Sequence, residues 1–356
     1  MGTRKRSCAG QKGGGMKIIS VVNQKGGCGK TITAVNLAAA LGQGGKRVLL
    51  IDLDPQSHAT FSVLRETPRV TITDLLEAAS TNRSFPEGNL TVELAPNFHL
   101  LPASLGLASL EHTLTSRDDK LKIVEKFLLS AGLDFDYLLI DCPPNLGLLT
   151  LNALVASEYA LIPLMTCDFS LQGTQILKNI LLMIKEFKGS APAPFYLLNQ
   201  VDQRSRYVKQ FLQKTRQQMG NLLLSSRIRT NVHLKEASAN GCDVFRFKPD
   251  SRGAEDFRSL AKEMQRITGE VSWTPLFLKK QNLEEVYVVG DFNDWQKEDS
   301  YKLKKIGPDL WSINLSLEKG TYRYKFLAEN KWIPDPHNAL SENDSFGGRN
   351  SLLQIH

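Results

Sequence analysis

No stretch of this 356-residue sequence approaches the roughly eighteen consecutive apolar residues that crossing a bilayer requires. The first fifteen residues, MGTRKRSCAGQKGGG, lack the apolar core of a secretory signal, and Arg6 spoils a myristoylation pattern. No membrane partner is expected. Cysteine is sparse as well: Cys8, Cys28, Cys142, Cys167 and Cys242 are odd in number, scattered and without C-x-x-C spacing, which argues against a disulfide framework, a zinc site or a bridging iron–sulfur cluster. A reducing cytoplasm fits that usage. Internal repeats and long low-complexity linkers are also missing.

Acid is missing from one place. The segment 203–235 holds Arg204, Arg206, Lys209, Lys214, Arg216, Arg227, Arg229 and Lys235 and no Asp or Glu, within a chain of net charge +7. Such a run makes a positive surface wherever it is exposed, either for an anionic partner or simply as a solvated helix face. Residues 1–15 carry four basic and no acidic residues and read as a disordered tail. Short β-rich runs at 17–22, 47–52, 137–141, 159–164 and 195–200 alternate with helical periodicity at 30–41, 120–130, 169–187 and 252–266. Unbroken apolar strands separated by helices predict an α/β unit over 16–268, a mostly parallel sheet covered by helices. From about Trp273 the pattern changes to EVYVVGDF, WSINLSL, TYRYKFLA and SLLQIH, short strands broken by turn residues. These predict an all-β, immunoglobulin-like sandwich over 273–356, with TGEVSW as the joint.

The most chemical stretch is NQKGGCGKT, placed between the first strand and the first helix. Backbone N–H groups and a helix N-terminus converge there on an anion, and nucleotide phosphate is the natural guest. Gly26, Gly27 and Gly29 allow close backbone approach, Lys30 reaches the β- and γ-phosphates, and the Thr31 hydroxyl is a Mg²⁺ ligand. The strict G-x-x-x-x-G-K-[ST] pattern fails at Gln24, and a purely structural turn remains open on the loop alone. Two acidic strand ends weigh against it: LLIDLDPQ presents Asp52 and Asp54, and LLIDCPP presents Asp141, where ligands bind in open α/β sheets. Three carboxylates beside a lysine-bearing loop suggest ATP, Mg²⁺ and an attacking water. One ATP needs one lysine from such a loop, so Lys25 is left over.

KGGCGKT, DLDPQ, IDCPPNLGLLTLNAL, DFSLQG and RTNVHLKEA followed by DSRGAEDF make residues 16–268 resemble the ParA/MinD family of deviant Walker-A ATPases, in its ParA/Soj partition branch. The resemblance implies a P-loop NTPase that forms a homodimer when ATP-bound and binds DNA without sequence preference. It also implies weak hydrolysis that a partner protein stimulates, and association with the nucleoid. It assigns Lys25 to the partner's phosphates across the dimer, and Gly26 to Ile32 to the nucleotide. Asp54 would orient the water, with Asp52 as the alternative, and Asp141, with Thr31 and Asp52, would lie at the metal. Asn199 would contact adenine or cap a turn. Ile32 stands where the family commonly has a second hydroxyl. Arg204, Arg206, Lys209, Arg227 and Arg229 become the candidate DNA contacts.

VYVVGDFNDW, TYRYKFLAENKWIPDP and FGGRNSLLQI resemble the glycogen-binding module of AMP-activated kinase beta subunits. That resemblance places Trp295, Lys325, Trp332, Phe346 and Asn350 on α-glucan, Phe346 replacing a more usual leucine. Tryptophan faces stack on sugar rings while lysine and asparagine meet hydroxyls. An immunoglobulin-like protein-interaction domain with core tryptophans is the alternative. The whole then reads as a DNA-binding partition or cargo-positioning ATPase with a glucan adaptor. A regulatory switch that does not use DNA and a scaffold remain as other classes.

Overall fold

The computed structural model describes residues 15–355, apart from 67, 203, 270, 271, 318, 319 and 345 and the side chains of 168, 169, 171, 172 and 272. The expected basic tail, except Gly15, lies outside the described residues. Eight strands build the first unit: β1 (Lys17–Val21), β2 (Val48–Asp52), β3 (Val92–Ala95), β4 (Phe98–Leu101), β5 (Tyr137–Asp141), β6 (Tyr159–Met165), β7 (Ala193–Val201) and β8 (Leu223–Arg229). They form one sheet in the order β3-β4-β2-β5-β1-β6-β7-β8, parallel throughout except where β3 runs against β4.

Both faces are covered. Helices Lys30–Gln43 and Arg252–Gly269 pack on one, through Leu37, Leu41, Leu260 and Met264. Helices Ile72–Thr81, Ile123–Ser130, Leu148–Ala156, Asp168–Lys188 and Arg206–Met219 pack on the other. Double coverage is why the central strands VLLID and YLLID carry apolar side chains without alternation. Register then does the functional work: β5 lies between β2 and β1, pairing Asp141 with Asp52 on one side and with Val21, the last residue of β1, on the other.

The second unit holds β9 (Ser272–Lys279), β10 (Tyr287–Gly290), β11 (Lys304–Lys305), β12 (Leu310–Leu317), β13 (Gly320–Ala328), β14 (Lys331–Ile333), β15 (Ser341–Asn343) and β16 (Arg349–Ile355). One sheet runs β11-β12-β9; the other runs β10-β13-β16-β15, with β14 on β13. Helix Arg252–Gly269 continues one residue past the expected boundary and β9 begins one residue before it.

The sandwich is packed onto the first unit. β9 alternates: Leu276 and Leu278 enter the sandwich core, while Phe277 joins the core of the first unit with Ile306, Leu310, Leu177, Leu181, Tyr196 and Phe211. Trp273 sits edge-on to Phe195 at 5.6 Å. Polar groups complete the seam. Asn314 Nδ2 donates to the Pro194 carbonyl at 3.1 Å, Lys178 Nζ to the Ile306 carbonyl at 2.5 Å, and Lys185 Nζ meets Asp335 Oδ2 at 2.8 Å with both side chains buried. Burial lowers the Lys178 ammonium to about 8.

Candidate functional site

The glycine loop owes its shape to two left-handed glycines, Gly27 (φ 72°) and Gly29 (φ 87°). Gly29 also lacks room: a Cβ there would lie 2.3 Å from Asn199 Nδ2. Asn199, at the carboxyl end of β7, is buried and donates that amide to the Cys28 carbonyl at 2.9 Å. In this structure it thus braces the loop, as the turn-holding alternative expects. Gln200, itself at φ 55°, donates to the Gly27 carbonyl at 2.9 Å. Asn23 ties the other side, giving Nδ2 to the Pro163 carbonyl at 2.7 Å and accepting from the Lys25 amide at 3.0 Å. Cys28 is buried, and burial raises its thiol.

Lys30 begins its helix and is only 7% exposed. Thr31 Oγ1 donates to Asp141 Oδ2 at 2.8 Å, and Asp141 Oδ1 is buried without a hydrogen-bond partner. Desolvation first, then the neighbouring Asp52, pushes the Asp141 carboxyl well above the usual range. Asp52 is raised to about 6, again chiefly by burial. Both Asp52 oxygens are engaged: Oδ1 accepts from the Asp54 amide at 3.1 Å, and Oδ2 from the Thr60 amide at 2.8 Å and hydroxyl at 2.7 Å. Asp54 uses Oδ1 on the Gln56 amide at 2.9 Å, while its Oδ2 lies 3.9 Å from His58 Nδ1. Of the two, Asp54 has the oxygen with spare acceptor capacity. A buried orphan carboxylate oxygen, an adjacent hydroxyl, a buried lysine and converging loop amides fit a triphosphate and a Mg²⁺ ion, which takes few protein ligands when phosphates supply the others.

Lys25 points elsewhere. Its ammonium donates to Cys167 Sγ at 3.2 Å, and that sulfur also lies 3.0 Å from Ser170 Oγ. Cys167, Thr60, Asn23 and Gln200 are contributors that sequence reasoning misses. Only Asn23, two residues before Lys25, carries a local signal, that of an Asx turn.

The basic segment is not one helix. It divides into helix Arg206–Met219, β8 and helix Val232–Ala239. Arg206 and Lys209 are exposed, and Arg204 is exposed while pairing with Asp202 at 3.2 Å; Arg227 is half-buried. Arg229 is engaged within the fold: its guanidinium is held by Asp256 at 2.6 Å and Glu255 at 2.7 Å, fastening β8 to helix Arg252–Gly269.

In the sandwich, Trp295, Lys325, Trp332, Phe346 and Asn350 line one cleft of about 790 Å³. The two indoles lie 6.1 Å apart at 47°, Trp332 is 50% exposed and Phe346 97%. Trp295 is in the left-handed region (φ 59°), with Nε1 donating to Asp291 at 3.2 Å. Lys325 is ion-paired with Asp344. The tryptophans of the sandwich core and seam are instead Trp311 and Trp273.

Comparison with known proteins gives two family matches. Residues 16–191 match the family described as AAA domain, and residues 275–356 match the glycogen recognition site of AMP-activated protein kinase. The chain is 37% identical over 254 residues to sporulation initiation inhibitor protein Soj of Bacillus subtilis, covering 70% of this chain and 98% of that protein. It is 32% identical over 251 residues to chromosome partitioning protein ParA of Myxococcus xanthus, covering 70% and 88%. Cobyrinic acid a,c-diamide synthase from Mycobacterium smegmatis, solved with bound ADP and magnesium, superposes with a TM-score of 0.58 at 26% identity, over 72% of this chain and 97% of that one.

Proposed function

The chain belongs to the ParA/Soj family of P-loop ATPases, and from that premise we infer that it is a Mg²⁺-dependent ATPase whose nucleotide state controls dimerisation and binding to DNA, with an α-glucan-binding module as cargo adaptor. The observation that carries the ATPase reading is Asp141, one oxygen on the Thr31 hydroxyl and the other buried without a hydrogen-bond partner beside the glycine loop. Thr31 and Asp141 would hold the metal, directly or through water. When bound, Mg²⁺ neutralises charge developing on the phosphates. Lys30 and the loop amides bind and orient the triphosphate. Asp54, with its less engaged oxygen, orients the attacking water, while Asp52 is fixed by Thr60 and shapes the loop that carries Asp54. Lys25 reaches the phosphates of a second copy, a cation supplied in trans as an arginine finger is, worth about 10³–10⁵ in rate in favourable cases.

Arg204, Arg206 and Lys209 are the exposed cations that support DNA contact. A regulatory switch without DNA is the second reading, favoured by the commitment of Arg229 to Asp256 and Glu255. The cleft between Trp295 and Asn350 supports α-glucan recognition, two aromatic faces with a few polar groups at its wall. Duplex DNA binding by the full chain, with and without a non-hydrolysable ATP analogue, separates the two readings. ATP-dependent, sequence-insensitive binding supports the first; its absence in the ATP-locked dimer leaves the second. In the same analogue, Lys30→Ala should lose nucleotide binding, whereas Lys25→Ala should keep it and fail to dimerise in sedimentation.

A further inference from the structure

The two sites share one mechanical element. Helix Asp168–Lys188 starts immediately after Cys167, whose sulfur holds the Lys25 ammonium at 3.2 Å. Ten residues or more along the same helix, Lys178 and Lys185 are buried against the sandwich, one on the Ile306 carbonyl and the other on Asp335. Glu186 adds a contact, its carboxylate 2.8 Å from His337 Nδ1. Asp335 is itself clamped: it accepts from Tyr324 Oη at 2.6 Å and from the His337 amide at 2.9 Å, and its own amide donates to Ser351 Oγ at 2.8 Å. Only Ile333 and Pro334 separate it from Trp332, and Pro334 also lines the aromatic cleft. A proline in that short link limits the ways in which Trp332 can move without Asp335.

From this continuity we propose that occupancy of the aromatic cleft and binding of nucleotide are thermodynamically linked through helix Asp168–Lys188, the occupied cleft favouring the helix position in which Lys25 is parked on Cys167. The proposal rests on the reading of the cleft as a glucan site. To reach the phosphates of a second copy Lys25 must leave Cys167, which frees the start of the helix; because pairing encloses the nucleotide, whatever opposes that release weakens nucleotide binding where chains pair. A close-packed helix moves as a body, so a shift at Cys167 is felt at Lys178 and Lys185, where buried polar partners resist it. A glucan that fixes Trp332 and its link to Asp335 stabilises the far end and opposes release of the near end. Linkage is reciprocal, so an ATP analogue must weaken glucan binding by the same factor.

The test uses the full chain at concentrations where the analogue pairs it, a fluorescent non-hydrolysable ATP analogue with Mg²⁺, and maltoheptaose, whose binding is followed separately by tryptophan fluorescence. With maltoheptaose saturating, the analogue should bind about fivefold more weakly or worse, the lower end of ordinary coupling. The double variant Lys185→Met with Asp335→Asn, which removes both charges so that neither is left buried alone, should bind maltoheptaose and lose the effect. Unchanged or tighter nucleotide binding in wild-type protein saturated with maltoheptaose overturns the proposal. A wild type whose tryptophans do not respond to maltoheptaose fails at the glucan reading instead. The double variant alone then decides: it should bind the analogue more tightly than wild type without any sugar, and equal affinity overturns the linkage.

Discussion

The nucleotide loop and the aromatic cleft solve recognition in opposite ways. In the first, Lys30, Asp52, Asp54 and Asp141 are all buried, and that burial, with a small addition from the Asp54 charge, raises Asp52 to about 6. In the second, the recognition surface is left wet: Trp332 is half-exposed and Phe346 almost fully so, while the buried polar residues, Lys325 and Asn350, stay at the wall. Buried charge of one sign is costly until a highly charged guest with its metal compensates it. Such a site is selective for that guest. Open aromatic faces ask only for a flat apolar surface, which tolerates guests of varied length.

The largest way to test the separateness of these regions is to cut between them. Ending the chain at Gly269 removes Phe277, Ile306 and Leu310 from the core that includes Leu177 and Tyr196. At about 1.5–3 kcal/mol for each buried side chain, roughly 5–9 kcal/mol of burial is lost, comparable to the whole stability of a domain. The shortened protein should aggregate or melt far below the full chain in a thermal scan. A stable, nucleotide-binding fragment would show that the seam contributes little.

Next come the tryptophans. Trp311→Ala, in the sandwich core, should cost about 3–5 kcal/mol. Trp332→Ala should change stability by no more than about 0.5 kcal/mol while abolishing most maltoheptaose binding. Denaturant melts with sugar titration separate the two, and equal destabilisation would return Trp332 to the core. The arginines make a similar contrast. Arg229→Ala should cost roughly 1–3 kcal/mol by freeing Asp256, whereas Arg204→Ala and Arg206→Ala should leave the melt unchanged. Each of those two should reduce the salt dependence of DNA binding by about 0.9 in log K per tenfold change in salt, if it meets one phosphate. A salt slope that responds only to Arg229 would reverse the assignment.

The smallest effect is a pH dependence confined to the first site. Below about 6 Asp52 holds its proton, and Asp141 is raised in the same direction. The metal favours the ionised forms, so the Mg²⁺-nucleotide complex should bind more tightly as pH rises from 5 to 7 and release protons as it does, measurable by calorimetry in buffers of different ionisation heat. Maltoheptaose binding should stay flat over that range.

The sheet was legible because doubly covered strands need unbroken apolar runs, and the loop, Asp52 and Asp141 because strand ends at a sheet's carboxyl edge carry the chemistry. β8 escaped notice for a related reason: LLSSRIR lies at the sheet edge, where one side need not be apolar, and its two arginines read as part of a charged helix. The ion pairs of Arg229 were hidden because its partners, Glu255 and Asp256, stand 26 and 27 residues later, beyond any local pattern. The seam was invisible for the same cause. Phe277 looks like any strand residue until the fold decides which core its face meets.

One consequence of that seam concerns polymers. Phe277 is buried in the core of the ATPase unit and Lys178 and Lys185 bind the sandwich at Ile306 and Asp335, so the cleft is held in a fixed direction. Two chains joined over ATP would present two clefts at one set separation. On a branched glucan with many chain ends the second cleft would bind at high effective concentration, and the assembly would hold a granule far more tightly than it holds a short sugar. On the proposed function, hydrolysis that separates the chains would then loosen the grip on a glucan and on DNA in a single step, through loss of avidity rather than through any change within either cleft.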